Sequence, residues 1–125
     1  PEVAMQEGNA ALARRDYPAA EQAAREVVAA KNSPRAYDGQ LLLAQALFGQ
    51  RQYSEAAIAY DDAYKRSRKG SHAQDALLGL ANSLVGINEK KAACGTLEKL
   101  HAEFPQPRGD LREGIAGAAQ RAGCR

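Results

Sequence analysis

The sequence predicts an all-α fold of three helical hairpins stacked side by side, with a fourth piece, a C-terminal capping helix, closing the stack. Three observations predict it. Short amphipathic segments recur at a spacing of 36 and 37 residues. Small residues hold the same place in every copy. Ala and Leu dominate the apolar residues, while Trp is absent and only two Phe occur. Ala loses no side-chain entropy in a helix and hides no polar group, so this composition favours closely packed helices.

The repeat is visible in RRDYPAAEQA from Arg14, RQYSEAAIAY from Arg51 and NEKKAACGTL from Asn88. Anchored on Ala20, Ala56 and Ala93, the copies also align Gly8, Ala44 and Ala81. The same shifts relate Ala24, Tyr60 and Leu97, then Val27, Ala63 and Leu100. Tyr17 and Tyr53 share a turn position that Lys90 fills in the third copy. A helical hairpin closes only where a small residue sits at the crossing of its two helices. Larger apolar residues further along then fill the gap to the next copy. One hairpin cannot bury its own apolar face, so the copies share a core.

Turn residues place the elements. Helices are expected near residues 2–14, 18–30, 34–50, 54–67, 72–86, 90–103 and 109–122. Pro18 suits a helix's first turn, where its missing N–H is not needed. Ser33-Pro34 reads as an N-cap and first position. Gly70 would end a helix in a left-handed conformation. Ser71-His72-Ala73-Gln74 and Asp110-Leu111-Arg112-Glu113 have the spacing of capping boxes. Lys31-Asn32-Ser33-Pro34 and Arg68-Lys69-Gly70-Ser71 carry the connections between copies, and Phe104-Pro105-Gln106-Pro107 must break the chain.

These small-residue, turn-tyrosine and Pro105 positions resemble the tetratricopeptide repeat, whose pattern implies a right-handed superhelix. The chain departs from it at the aromatic first-helix position, here Ala4, Gln40 and Leu77, and its period exceeds the usual length of about 34. The repeats would occupy residues 1–105, as about 1–34, 37–70 and 74–105. Residues 106–125 would form the capping helix and a cysteine-bearing tail.

Charge and motifs exclude several function classes. The net charge is +2, with both signs interspersed, unlike the concentrated basic face of a nucleic-acid binder. No apolar run approaches the roughly 20 residues that cross a bilayer. No HExxH, CxxC, GxSxG or phosphate-binding Gly loop occurs, so no cofactor, metal or catalytic group is expected. Cys94 and His101 share a helix face, but two turns separate them by about 10 Å, too far for a nucleophile pair. His72 reads as a surface residue of a first turn. Lys65-Arg66-Ser67-Arg68-Lys69 is the one basic cluster, and it suits a helix C-terminus; an acidic partner or a phospholipid surface is its alternative reading.

The first helix of each pair should line a concave groove. In the shared register Asn9, Gln45 and Asn82 form a ladder of amides, able to donate and accept hydrogen bonds along a peptide backbone. Leu12, Phe48 and Val85, with Leu41 and Leu78, would form an apolar wall beside it. Groove cations that would clamp a partner's C-terminal carboxylate are missing, because Met5, Leu41 and Leu78 stand four residues before the amides.

Cys94 lies early on the sixth helix and Cys124 just past the last. The two helices should run antiparallel, with rises of about 15 and 20 Å back from the turn. A tilt would bring the pair within the about 7 Å that a disulfide needs. A disulfide closing this loop is the favoured reading, with an oxidising compartment as its corollary; two reduced thiols are the alternative.

From Ala76 to Phe104, ALLGLANSLVGINEKKAACGTLEKLHAEF, then Pro105 and the terminal Arg121-Ala122-Gly123-Cys124, the chain is similar to the C-terminal domain of the YbgF/CpoB family of the Tol-Pal system. That resemblance implies a periplasmic scaffold that contacts TolA and the cell-wall synthesis machinery and coordinates outer-membrane constriction with peptidoglycan synthesis at division. It also implies a trimerising N-terminal coiled coil, of which this chain has no heptads; Pro1 marks it as an excised or processed piece, expected to be monomeric. The alternative is a cytosolic adaptor that takes a partner's peptide in its groove.

Overall fold

The computed structural model describes residues 1–30 and 32–125. Lys31, in the first connection between copies, lies outside the described residues. Seven α-helices follow one another: α1 (Glu2–Ala13), α2 (Tyr17–Ala29), α3 (Ala36–Gly49), α4 (Tyr53–Arg66), α5 (Ala73–Gly86), α6 (Lys90–Glu103) and α7 (Arg112–Ala122). A 3-10 turn, Gly109–Leu111, leads into α7. Among the described residues there is no strand.

Each hairpin turns in the same way. The N–H groups of Asp16, Gln52 and Glu89 reach back to the carbonyls of Ala11, Leu47 and Leu84, at 2.8, 3.0 and 2.8 Å. This six-residue closure satisfies carbonyls that the helix end would orphan. It forces the residue before into a left-handed conformation, with φ 63° at Arg15, 63° at Arg51 and 62° at Asn88. Glycine usually takes that position, because a Cβ is crowded there.

The remaining punctuation differs from the sequence expectation. Asp16 is the cap of α2, its carboxylate accepting from the Ala19 N–H at 3.3 Å. Ser33 does not begin α3. Its hydroxyl accepts from the Arg35 N–H at 3.1 Å, in a turn that ends one residue before Ala36. Gly70 is not left-handed; among the described residues the only glycine with positive φ is Gly123, which closes α7. Neither expected capping box forms. The Tyr37 hydroxyl takes the His72 N–H at 2.8 Å, and Asp110 turns to Arg108 instead.

The crossings fall where the register puts them. Ala20, Ala44, Ala56, Ala81 and Ala93 are 0% exposed and Gly8 is buried. A Cβ on Gly8 would come within 2.5 Å of Leu42 Cδ2 on α3 and 3.2 Å of the Ala23 Cβ on α2, so even alanine would require the Leu42 side chain to move. Between copies, Val27, Ala63 and Leu100 are fully buried. The ring of Tyr60 lies directly on Gly79. One copy earlier the sizes are exchanged, with Ala24 and Leu42 in the equivalent positions, so the gap is filled from the opposite side.

The turn tyrosines lie against the next pair's first helix: Tyr17 on Gly49, and Tyr53 on Gly86, where an added Cβ would approach the ring to 2.5 Å. Among the described residues the two buried polar side chains are both bonded. Gln40 Nε2 donates to the Ala59 carbonyl at 3.2 Å, and Ser83 Oγ to that of Gly79 at 2.8 Å. Successive first helices α1, α3, α5 and α7 touch in series, whereas the second helices are not packed on one another to that degree. The stack therefore curves, with the first helices on its inner side.

Candidate partner-binding groove

The inner side is built from the first helices. Asn9 is exposed and Gln45 is half-buried, so both amides reach solvent. Asn82 also lies on this side, but its Oδ1 accepts from Arg121 Nη2 of α7 at 2.8 Å. The apolar wall is only partly open. Leu12, Phe48, Leu78 and Val85 are half-buried, and the Phe48 ring meets the Tyr53 ring edge-on, with centroids 5.2 Å apart. Leu41 is 8% exposed and Met5 is 3% exposed, so both belong to the core. Leu41 is thus removed from the expected groove lining: its position faces the following first helix. Leu78 is half-covered in the same way, its Cδ2 lying 3.1 Å from where a Cβ on Gly114 would sit.

The groove's helices are set in angle by a recurring polar link at their N-terminal ends. The Arg35 guanidinium pairs with Glu2 of the preceding copy at 2.7 Å. His72 Nε2 meets Asp38 at 2.6 Å. Arg108 holds Asp75 through two nitrogens, at 2.9 and 3.0 Å. Glu2, Asp38 and Asp75 share one register position, and Arg35 and His72 share another, so each partner reaches back one copy. The His72 hydrogen bond, joined by the charge of Arg35, holds the Asp38 carboxyl below its ordinary range. Contact with Asp75 and Asp110 holds Arg108 more firmly protonated. Arg108 also donates its backbone N–H to Gln74 Oε1 at 2.9 Å, which folds the proline-rich turn against the start of α5.

The far end is closed covalently. Cys94 of α6 and Cys124 after α7 form a disulfide, with Cα atoms 5.5 Å apart. Ile115, Ala118 and Ala122 bury the face of α7 that meets the stack. Between α6 and α7 a 610 Å³ cleft is lined by Leu97, His101, Ile115 and both cysteines.

Other depressions lie between the helices of single hairpins, and they repeat in register. In the first, Glu7, Ala11, Gln22 and Ala23 line a 410 Å³ notch. In the second, Leu43, Leu47, Ile58 and Ala59 line one of 270 Å³, and Ile58 is 65% exposed. Tyr64 is the floor of another cleft, beneath Arg68, Lys69, Glu103 and Phe104. Its hydroxyl donates to Glu103, while Arg68 and Lys99 lie 5.2 and 4.7 Å from the ring centre. Burial, then the Glu103 bond, raise the phenol's pKa.

Among the described residues, no group of His, Cys, Asp and Glu stands close enough to hold a metal. No helix there is long and apolar enough to cross a membrane.

Comparison with known proteins agrees with this architecture. The chain is similar to the solved TPR2B-domain:pHsp70 complex of yeast Sti1 at 23% identity and a TM-score of 0.82, across 98% of this chain and 94% of that one. At that identity the likeness shows the fold alone. No curated protein matches. A family model described as tetratricopeptide repeat matches residues 5–73, more than half of the chain. The all-α fold class expected from the repeat spacing is the one observed, and the chain belongs to the tetratricopeptide repeat family.

Proposed function

We propose that this is the repeat domain of a periplasmic Tol-Pal scaffold of the YbgF/CpoB kind. It binds TolA-type partners and links outer-membrane constriction to peptidoglycan synthesis during division, without catalysis of its own. Its repeats span residues 1–105, and residues 106–125 cap them. A partner segment lies along the inner side, where Asn9, Gln45 and Asn82 offer amides beside Leu12, Phe48, Leu78 and Val85. The observation that carries this reading is the third copy, with its ANSLVGINEKKAACGTL run, joined to a disulfide that suits an oxidising compartment.

The test is capture of a purified TolA-type domain in solution. Gln45→Tyr fills the middle of the inner side at a half-exposed position, where substitutions shift stability by only about 0.5 kcal/mol. Capture should fall at least tenfold with the thermal midpoint nearly unchanged; equal capture by the variant would remove the groove from the account. The second reading, a cytosolic adaptor for a partner's peptide, is favoured by the fold shared with the yeast complex. Thiol titration of denatured protein drawn from its native compartment separates the two. No titratable thiol supports the periplasmic reading, and two thiols support the cytosolic one.

A further inference from the structure

We propose that the cleft over Tyr64 is a docking site for an acidic segment of a partner protein, one that sets an apolar side chain among its carboxylates. The cleft stands apart from the inner groove and does not depend on that groove being a partner site. Arg68 and Lys69, from the connection after α4, line it with Tyr64 and with Glu103 and Phe104 from the end of α6, around a volume of 610 Å³. None of this lining comes from a first helix. Lys99 of α6 and Arg68 both lie over the Tyr64 ring, 4.7 and 5.2 Å from its centre, and among the described residues no other ring has a cation over it. Attraction to the ring's π face holds each cation in place without spending its donors on a carboxylate.

Two observations separate these cations from the exposed arginines and lysines elsewhere. The first is their convergence. Lys65 and Arg66 sit in the last turn of α4, where the helix dipole favours them, and Lys65 is paired with Asp61 at 2.7 Å. Arg68 and Lys69 lie past the end of α4, and Lys99 is on another helix, so that dipole does not gather them. The second is register. One junction earlier, the places of Tyr64, Arg68 and Lys69 are held by Val28, Asn32 and Ser33, and those of Lys99, Glu103 and Phe104 by Asp62, Arg66 and Ser67. The repeat therefore does not require this chemistry.

The lining also selects among anions. Three cations face one carboxylate, and that carboxylate, Glu103, already accepts from the Tyr64 hydroxyl. A polypeptide brings side-chain carboxylates for the cations, a backbone N–H for the oxygens of Glu103, and an apolar side chain for half-buried Phe104. A phosphate ion satisfies the cations alone and is repelled by Glu103. A lipid surface is planar, whereas these cations gather over a hollow.

The probe is the capped peptide acetyl-EDFED-amide, with acetyl-QNFQN-amide as its neutral counterpart. Each is titrated into the full oxidised chain at physiological salt, while NMR follows the Tyr64 and Phe104 rings and the Arg68 side chain. The acidic peptide should shift these signals saturably and bind about tenfold or more tightly than the neutral one. Arg68→Gln with Lys99→Gln should remove that preference and keep the parent's spectrum elsewhere. Lys65→Gln with Arg66→Gln deletes the same net charge outside the cleft and should change affinity by less than about threefold, because diffuse attraction is screened by salt. Glu103→Gln keeps an oxygen for the Tyr64 hydroxyl and removes the opposing charge, so it should tighten binding by about threefold. Equal losses in the two double variants, no saturable shift with the acidic peptide, or shifts at Asn9, Gln45 and Phe48 in place of the cleft overturn the assignment. Inorganic phosphate that moves the same signals at the peptide's concentrations overturns it in favour of a small-anion site. Vesicles of phosphatidylglycerol and phosphatidylcholine that take up the chain through Arg68 and Lys99, while the peptide fails to bind, overturn it in favour of a membrane surface.

Discussion

The first two junctions of the stack and the last solve one problem by different means. Where α2 meets α3 and α4 meets α5, a turn tyrosine lies on a glycine of the next first helix, Tyr17 on Gly49 and Tyr53 on Gly86. The third copy has Lys90 in the tyrosine's place. There α7 offers small residues, Gly114, Ala118 and Ala122, and it is tied down by Cys94–Cys124 and by the Arg108 clasp on Asp75. A short alanine-rich helix buries little apolar area, and burial contributes roughly 25 cal/mol per Å². Aromatic packing secures the inner junctions, and a covalent bond with an ion pair secures the terminal one.

Breaking the comparison at its covalent side should give the largest effect. The bridge joins residues 30 apart in sequence, and opening it by Cys94→Ser with Cys124→Ser should cost about 3–4 kcal/mol in the chain-entropy picture. Hydrogen exchange should show the loss concentrated in residues 112–122, with α3 and α4 nearly as protected as before. Uniform loss along the chain would mean that the bridge holds the whole stack. Tyr53→Ala, at the second junction, should cost about 2–3 kcal/mol in chemical denaturation, below the full core value because the ring is half-exposed. Its effect should spread across α3, α4 and α5 together. A change confined to α5 would show that the junctions are less alike than their geometry.

Arg108→Ala should cost about 1 kcal/mol and be partly mimicked by salt, as for a partly exposed bidentate pair. The His72 link offers a finer test. The Asp38 carboxyl is held below its ordinary pKa, so the stability it contributes is present above about pH 4 and is lost as pH falls through its lowered value. An acid titration of the melting midpoint should therefore fall less steeply in Asp38→Asn, by an amount below about 1 kcal/mol because the pair is partly exposed. Identical acid slopes in both proteins would remove the link. Opposite in sign, Arg51→Gly should raise stability by about 0.5 kcal/mol, since φ is 63° there; the same change at Asn88 should do less, because Asn tolerates that conformation better.

The parts legible in the sequence were those carried by the repeat. Ala20, Ala56 and Ala93 marked the crossings because only a small side chain permits one, and the first six helices fell within about two residues of their expected places, while the last begins three residues late, after a 3-10 turn. The polar links to carboxylates were equally periodic, since Glu2, Asp38 and Asp75 share a register position, but polar groups on an amphipathic surface look alike until a partner from another copy is set beside them. The cap misread at Ser71 turned on a distant hydroxyl, that of Tyr37, which takes the His72 N–H and which local spacing cannot reveal, whereas Ser33 caps a local turn to Arg35. Arg121 was invisible for a different reason. The rotation of α7 about its own axis is fixed by contacts with α5 and α6, so no repeat period predicts which residue meets Asn82.

The hairpin notches have a consequence for how such a chain can change. The backbone produces the same dent twice, once filled by Glu7 and Gln22 and once by Leu43 and Ile58. Contour there is set by geometry and taste by exposed side chains such as Gln22 and Ile58, which the interior hardly feels. New exterior contacts could thus be acquired or lost by exchanging two or three amino acids, while the scaffold beneath is inherited unaltered.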